Sequence, residues 1–122
     1  MNRTVLYIED DANNAHLVER LLRGRPGIQV QVAGTARDGI AAALGGPPAL
    51  ILLDNHLPDA AGRDVLRQLA ASESTRGIPV IILSGDTDPA TADDLLAQGA
   101  ADFIVKPFDI DQFMVTVGRH LA

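Results

Sequence analysis

The chain has no cysteine and no tryptophan, and aromatic residues fill only 3% of its 122 positions. Without thiols it forms no disulfide and offers no thiolate to a metal. With so few rings, its core has to be built from Val, Leu, Ile and Ala. No apolar run approaches the ~20 residues of a membrane span, and no basic, apolar leader opens the chain. Lysine is scarce as well: nine of the ten basic residues are Arg, and Lys106 is the exception. The formal charge of -6 argues against direct nucleic-acid binding, because phosphate backbones demand Lys and Arg. A soluble, cytoplasmic protein with no membrane or nucleic-acid partner is expected.

What is present is a chain of single-domain size, residues 1–122, that is 47% hydrophobic and 21% charged, enough apolar content to bury one core. Aliphatic runs recur at 5–8 (VLYI), 28–33 (IQVQVA), 50–54 (LILLD), 80–84 (VIILS) and 102–106 (DFIVK). The third and fourth are continuous, as in central parallel strands covered on both faces, whereas the second alternates with Gln29 and Gln31 and suits an edge. Helical spacing fills the gaps. Leu17, Val18, Leu21 and Leu22 form a stripe in 12–23. Ala36, Ile40 and Leu44 repeat every four residues behind a Thr35 N-cap. Val65, Leu66 and Leu69 mark 62–71, and Asp88-Pro89 opens a helix that stops near Gly99. Ile110, Phe113, Met114, Val117 and Leu121 mark 109–121. Strict alternation of five strands and five helices predicts an α/β doubly wound parallel sheet, (βα)5 and flavodoxin-like, with strand order 2-1-3-4-5. Ligands of such sheets bind beyond the carboxyl ends of the strands, at the switch between strands 1 and 3.

Four strands deliver polar groups to that edge: Glu9-Asp10-Asp11, Asp54, Ser84-Gly85 and Lys106-Pro107. Two carboxylates ~4 Å apart repel by about 4 kcal/mol at an effective dielectric of about 20. A proton or a cation relieves this, and an all-oxygen donor set with no His or Cys cluster favours Mg²⁺. Asp11 suits a helix cap and takes no ligand role. Lys106 is expected to pair with Asp54 at rest. A divalent cation, a lysine and the Ser84 hydroxyl together also make a phosphoryl site, with Asp54 as the nucleophile that forms an aspartyl-phosphate.

These stretches resemble the receiver domain of two-component response regulators along essentially the whole chain. VLYIEDD is similar to the family's first strand and acidic pair, LILLDNHLPDAAG to its phosphoacceptor strand and loop, VIILSG to its hydroxyl-bearing strand, and GAADFIVKPF to its last strand. The resemblance implies that Mg²⁺ binds Asp10, Asp54 and the backbone carbonyl of His56, with Glu9 acting through water. It implies phosphoryl transfer to Asp54 from a phosphohistidine on a sensor histidine kinase or histidine phosphotransfer domain. Lys106 and Ser84 then contact the phosphoryl oxygens. Ser84 and Phe103 switch, and the face of helix 4, strand 5 and helix 5 is read by a downstream protein. The domain is no turnover enzyme, although it assists its own phosphorylation and slow dephosphorylation. A homodimer through that face is left open, as is the choice between a stand-alone regulator, toward which Met1 leans, and a receiver cut from a larger chain.

Departures from the family pattern are Leu57 for the frequent Met and Phe103 for the commoner Tyr. His56 and Asp86, two residues beyond Asp54 and Ser84, flank the predicted phosphoryl position and are expected to tune the phosphate's lifetime. Three other readings compete. A cobalamin-binding domain would use His56 but needs Gly at position 59, where Asp59 stands. A haloacid-dehalogenase-like phosphatase would need an Asp where His56 stands. A binding module with a dead site would leave the filled acidic positions unexplained. His16 and His120 are expected at or near the surface.

Overall fold

A computed structural model of the protein describes residues 3–121. Its elements alternate without exception: β1 (Arg3–Ile8), α1 (Ala12–Arg23), β2 (Ile28–Ala33), α2 (Ala36–Gly45), β3 (Leu50–Asp54), α3 (Gly62–Ala70), β4 (Val80–Ser84), α4 (Pro89–Ala97), β5 (Asp102–Val105) and α5 (Ile110–Leu121). The strands form one parallel sheet in the order β2-β1-β3-β4-β5, as the alternation predicts. Every residue of β3 and β4 is buried, which accounts for their unbroken aliphatic runs, and β2 forms an edge.

Side chains alternate across the sheet and divide the core in two. Leu6, Ile8, Ile51, Leu53 and Ile82 meet α2, α3 and α4 on one face. Val5, Tyr7, Leu50, Leu52, Ile81 and Leu83 meet Val18 of α1 and Phe113 of α5 on the other. No helix among the described residues is long and apolar enough to cross a membrane.

Three residues assigned to apolar helix stripes lie at the surface instead: Leu17, Leu44 and Ile110. In α2 the cause is visible. A side chain at Gly39 would place its Cβ 2.5 Å from Ile8 Cδ1, so the helix approaches β1 through its smallest residues. Ala36, Gly39 and Ala43 form the buried stripe, and Leu44 is rotated outward. The helix-end signals act as read: Asp11 Oδ1 accepts from the Asn13 and Asn14 amides, Thr35 Oγ1 from Asp38, and Asp88 Oδ1 from Ala90.

Candidate functional site

The register fixes where the strand tips meet. Ile8 pairs with Leu53, Asp54 with Leu83, and Ser84 with Val105. Glu9, Asp54, Ser84 and Lys106 therefore emerge at one edge. Carboxylate oxygens of Glu9, Asp10 and Asp54 all lie within 4.8 Å of one another. Asp10 is exposed, whereas Glu9 and Asp54 are 2% and 6% exposed. Asp10 is thus the open side of the cluster, and the other two form its floor.

Lys106 Nζ donates to Asp54 Oδ1 and to Glu9 Oε1, each at 3.2 Å. The expected Asp54 pair is present, and the bond to Glu9 adds to it. Asn14 Nδ2, from the first turn of α1, also donates to Glu9 Oε1 at 2.8 Å. Among the described residues Glu9 Oε2 has no hydrogen-bond partner, nor does the buried hydroxyl of Tyr7. Burial pushes the Glu9 carboxyl up to about 7, helped by the Asp54 carboxylate and opposed by Asn14 and Lys106. Burial beside Glu9 and Asp54 likewise drives the Tyr7 hydroxyl far above its ordinary range.

The cluster suits a hard cation. Its donors are all oxygen, one buried acceptor atom is unpartnered, and only two of the three carboxyl groups pair with the Lys106 ammonium.

Ser84 is fully buried, and its Oγ accepts the Asp86 amide proton at 3.0 Å. Phe103 is half-buried against the core on the α2–α4 face of the sheet. The Lys106–Pro107 peptide bond is cis. His56 is exposed and bridges to Ala61 across the β3–α3 loop. Both oxygens of Asp86 are engaged, accepting from the Asp88 amide in its own loop and from Thr91 Oγ1 in the first turn of α4 at 2.9 Å each. Those bonds, with nearby His56 as a smaller influence, hold Asp86 below the usual carboxylate range. Sequence reasoning missed Asn14, Thr91 and the Tyr7 hydroxyl. It also missed Asp59, whose carboxylate accepts from the Ala36 and Arg37 amides at 2.8 and 3.0 Å. The one available signal was Asn14's place in the first turn after the acidic strand tip.

The model of the response regulator receiver domain matches residues 5–118. The regulatory protein LuxO of Vibrio vulnificus is 37% identical over 114 residues, which are 93% of this chain and 24% of that protein. The chain thus spans about a quarter of the length of the LuxO proteins it matches. The crystal structure of the signal receiver domain of a LuxO repressor protein from Vibrio parahaemolyticus superposes with a TM-score of 0.92 at 30% identity, over 99% of this chain and 91% of that one. The receiver domain of the sensor histidine kinase PA1611 from Pseudomonas aeruginosa, which holds a magnesium ion in its active-site cleft, has a TM-score of 0.88 at 25% identity, over 99% of this chain and 98% of that one.

Proposed function

This chain belongs to the response regulator receiver domain family, and from that premise we propose that residues 1–122 act as one receiver unit with Asp54 as its phosphoacceptor. The observation that carries the reading is the packing of Glu9, Asp10 and Asp54 oxygens within 4.8 Å of one another, with the Lys106 ammonium 3.2 Å from two of them, Glu9 and Asp54. Asp10, Asp54 and the His56 carbonyl would hold Mg²⁺, with Glu9 reaching it through water. When bound, the ion offsets the repulsion between Asp54 and an incoming phosphoryl group.

The chain's own residues carry the rest. An Asp54 carboxylate oxygen attacks the phosphorus of a phosphohistidine. A P–O bond forms, the P–N bond breaks, and the imidazole nitrogen leaves with the electron pair and takes a proton from solvent. Lys106, already 3.2 Å from Asp54 Oδ1, is placed to neutralise the arriving oxygens. Ser84 exchanges its bond to the Asp86 amide for one to the phosphoryl group. Phe103 follows inward, and the surface of α4, β5 and α5, where Leu96 and Val105 are exposed, changes for its reader.

The donor is a sensor histidine kinase or a phosphotransfer domain, the reader is a protein, and the setting is the cytoplasm. The domain speeds its own phosphorylation and hydrolysis without a separate substrate to turn over. His56 and Asp86 set the lifetime of the phosphate by governing the attacking water. Unchanged dephosphorylation rates in His56→Ala and Asp86→Ala would remove that assignment.

Incubation with acetyl phosphate, with and without Mg²⁺, tests the reading by mass spectrometry. Mg²⁺-dependent labelling of the native chain and none of Asp54→Asn is the expected outcome. Labelling of Asp54→Asn to the same extent would refute the acceptor, and labelling indifferent to Mg²⁺ would refute the metal role of Asp10.

A further inference from the structure

The loop that follows Asp54 is held at three places. At its base, the Gly62 amide donates to the Asn55 carbonyl at 3.2 Å, and His56 bridges to Ala61. The base is tight: a Cβ on Gly62 would lie 2.5 Å from Asn55 Oδ1. The third hold is at the tip, and it is not local. Asp59 Oδ1 accepts the Ala36 amide at 2.8 Å and Oδ2 accepts the Arg37 amide at 3.0 Å, across 23 and 22 residues of sequence.

Ala36 and Arg37 are the first two residues of α2, whose leading amides have no partner inside the helix. Helices ordinarily satisfy such amides with a cap from the preceding residue. Thr35 supplies that cap here, but only to Asp38. The remaining two amides are taken by a carboxylate from another loop, with one oxygen for each. Bonds of this kind, from amides to an ionised acceptor at the positive end of a helix, are stronger than neutral ones. They also hold Asp59 in its ionised form.

We propose that Asp59 is a positioning residue for the phosphoacceptor site: by tying the loop tip to the start of α2 it fixes the His56 carbonyl relative to Asp54. This rests on the reading of the site given above, in which His56 contributes its carbonyl. His56 lies between Asp54, anchored in β3, and Asp59, anchored on α2. The base pairs His56 on its Ala61 side alone, and without the hold at Asp59 the loop would shift as a unit and move that carbonyl further than the roughly 0.5 Å a coordinating group tolerates. Helix α2 thereby becomes part of the site's support without contributing a ligand.

The test uses the full chain in three variants, Asp59→Ala, Asp59→Asn and Thr35→Ala. Hydrogen exchange of residues 55–62 is followed without metal, and Mg²⁺ affinity by titration with NMR detection. Asp59→Ala should speed exchange across the loop and weaken Mg²⁺ binding about 10-fold, as loss of an outer support does at other metal sites. Asp59→Asn keeps one acceptor oxygen and should fall between. Thr35→Ala frays the same helix end from its local side and should leave both loop exchange and Mg²⁺ affinity unchanged.

Loop exchange in Asp59→Ala equal to that of the native chain overturns the proposal. So does a Thr35→Ala loss of Mg²⁺ affinity as large as that of Asp59→Ala, which would reduce Asp59 to a helix stabiliser. Faster loop exchange in Asp59→Ala with unaltered Mg²⁺ affinity overturns it too. Failure of the native chain to bind Mg²⁺ in an Asp54-dependent way would strike the reading of the site itself. The metal-free exchange would still report whether Asp59 holds the loop.

Discussion

Strand β5 carries an ion cluster at each end, and the two differ in charge and in depth. Beyond its carboxyl end, Lys106 bonds to both Glu9 and Asp54 at 3.2 Å, and Asp10 adds a third acid. At its amino end, Asp102 alone receives His120 Nε2 at 3.1 Å and Arg119 Nη1 at 3.4 Å. The side chains of Glu9 and Asp54 are 1% and 9% exposed, against 28% for Asp102 and 63% for Arg119. One cluster has more acid than base with two of its acids buried, and the other sets a single, more open acid against Arg119 and His120. Only the first gains from a further cation. An imbalance of buried charge marks the end of the sheet that carries the candidate site, while the other end fastens α5 to its strand.

Lys106→Ala should give the largest effect. In metal-free buffer it should cost roughly 2 kcal/mol, less than the 3–5 kcal/mol of a wholly buried pair, because Lys106 is partly open and Glu9 can take up a proton. Urea denaturation followed by circular dichroism measures it. Mg²⁺ should narrow the gap between variant and native chain, since the ion supplies charge that the lysine no longer does. A variant as stable as the native chain without metal would mean that the buried acids are not in conflict, and the contrast between the two ends would collapse.

A smaller effect should appear on titration. Glu9 is pushed up to about 7 by burial, so the folded chain keeps a proton that the unfolded chain has already released. This stabilisation is complete below the ordinary value of about 4.5 and is lost as pH rises through about 7. Metal-free stability should therefore fall across that window. Glu9→Gln should flatten this part of the profile. Parallel profiles for the two proteins would show that Glu9 titrates as an exposed acid does, against its place in the floor of the site.

Much of the carboxyl end was legible before any coordinates. Runs such as LILLD and VIILS announce strands buried on both faces, and the residue that ends each run must then stand at a strand tip. Given the strand order, Asp54, Ser84, Lys106 and Glu9 can only meet. Contacts made across the chain by loops and helix starts were not legible. Asp59 reads as an ordinary loop acid because its partners, the Ala36 and Arg37 amides, carry no side-chain signature. Asn14 reaches Glu9 by a helix rotation that spacing leaves undetermined. The same uncertainty put Leu44 inside, because a repeat of four cannot tell which flank of a stripe a close-packed residue such as Gly39 will draw inward.

The smallest expected effect belongs to the amino end of β5. Asp102 Oδ1 accepts the Phe103 amide at 2.9 Å, so Asp102→Asn keeps an acceptor there and removes only the charge shared with Arg119 and His120. Pairs this exposed contribute between nothing and about 1 kcal/mol, and the loss should lie in that range on thermal unfolding. His120→Ala should match it, with some added loss from a ring that is mostly covered. Neither variant should change Mg²⁺ affinity, because β5 separates them from the acidic cluster and its backbone is held in the sheet by β4. A change in Mg²⁺ affinity in either variant comparable to the rise expected for Lys106→Ala would show that charge at one end of the strand is felt at the other. In that case the two clusters would have to be treated as one device spanning β5.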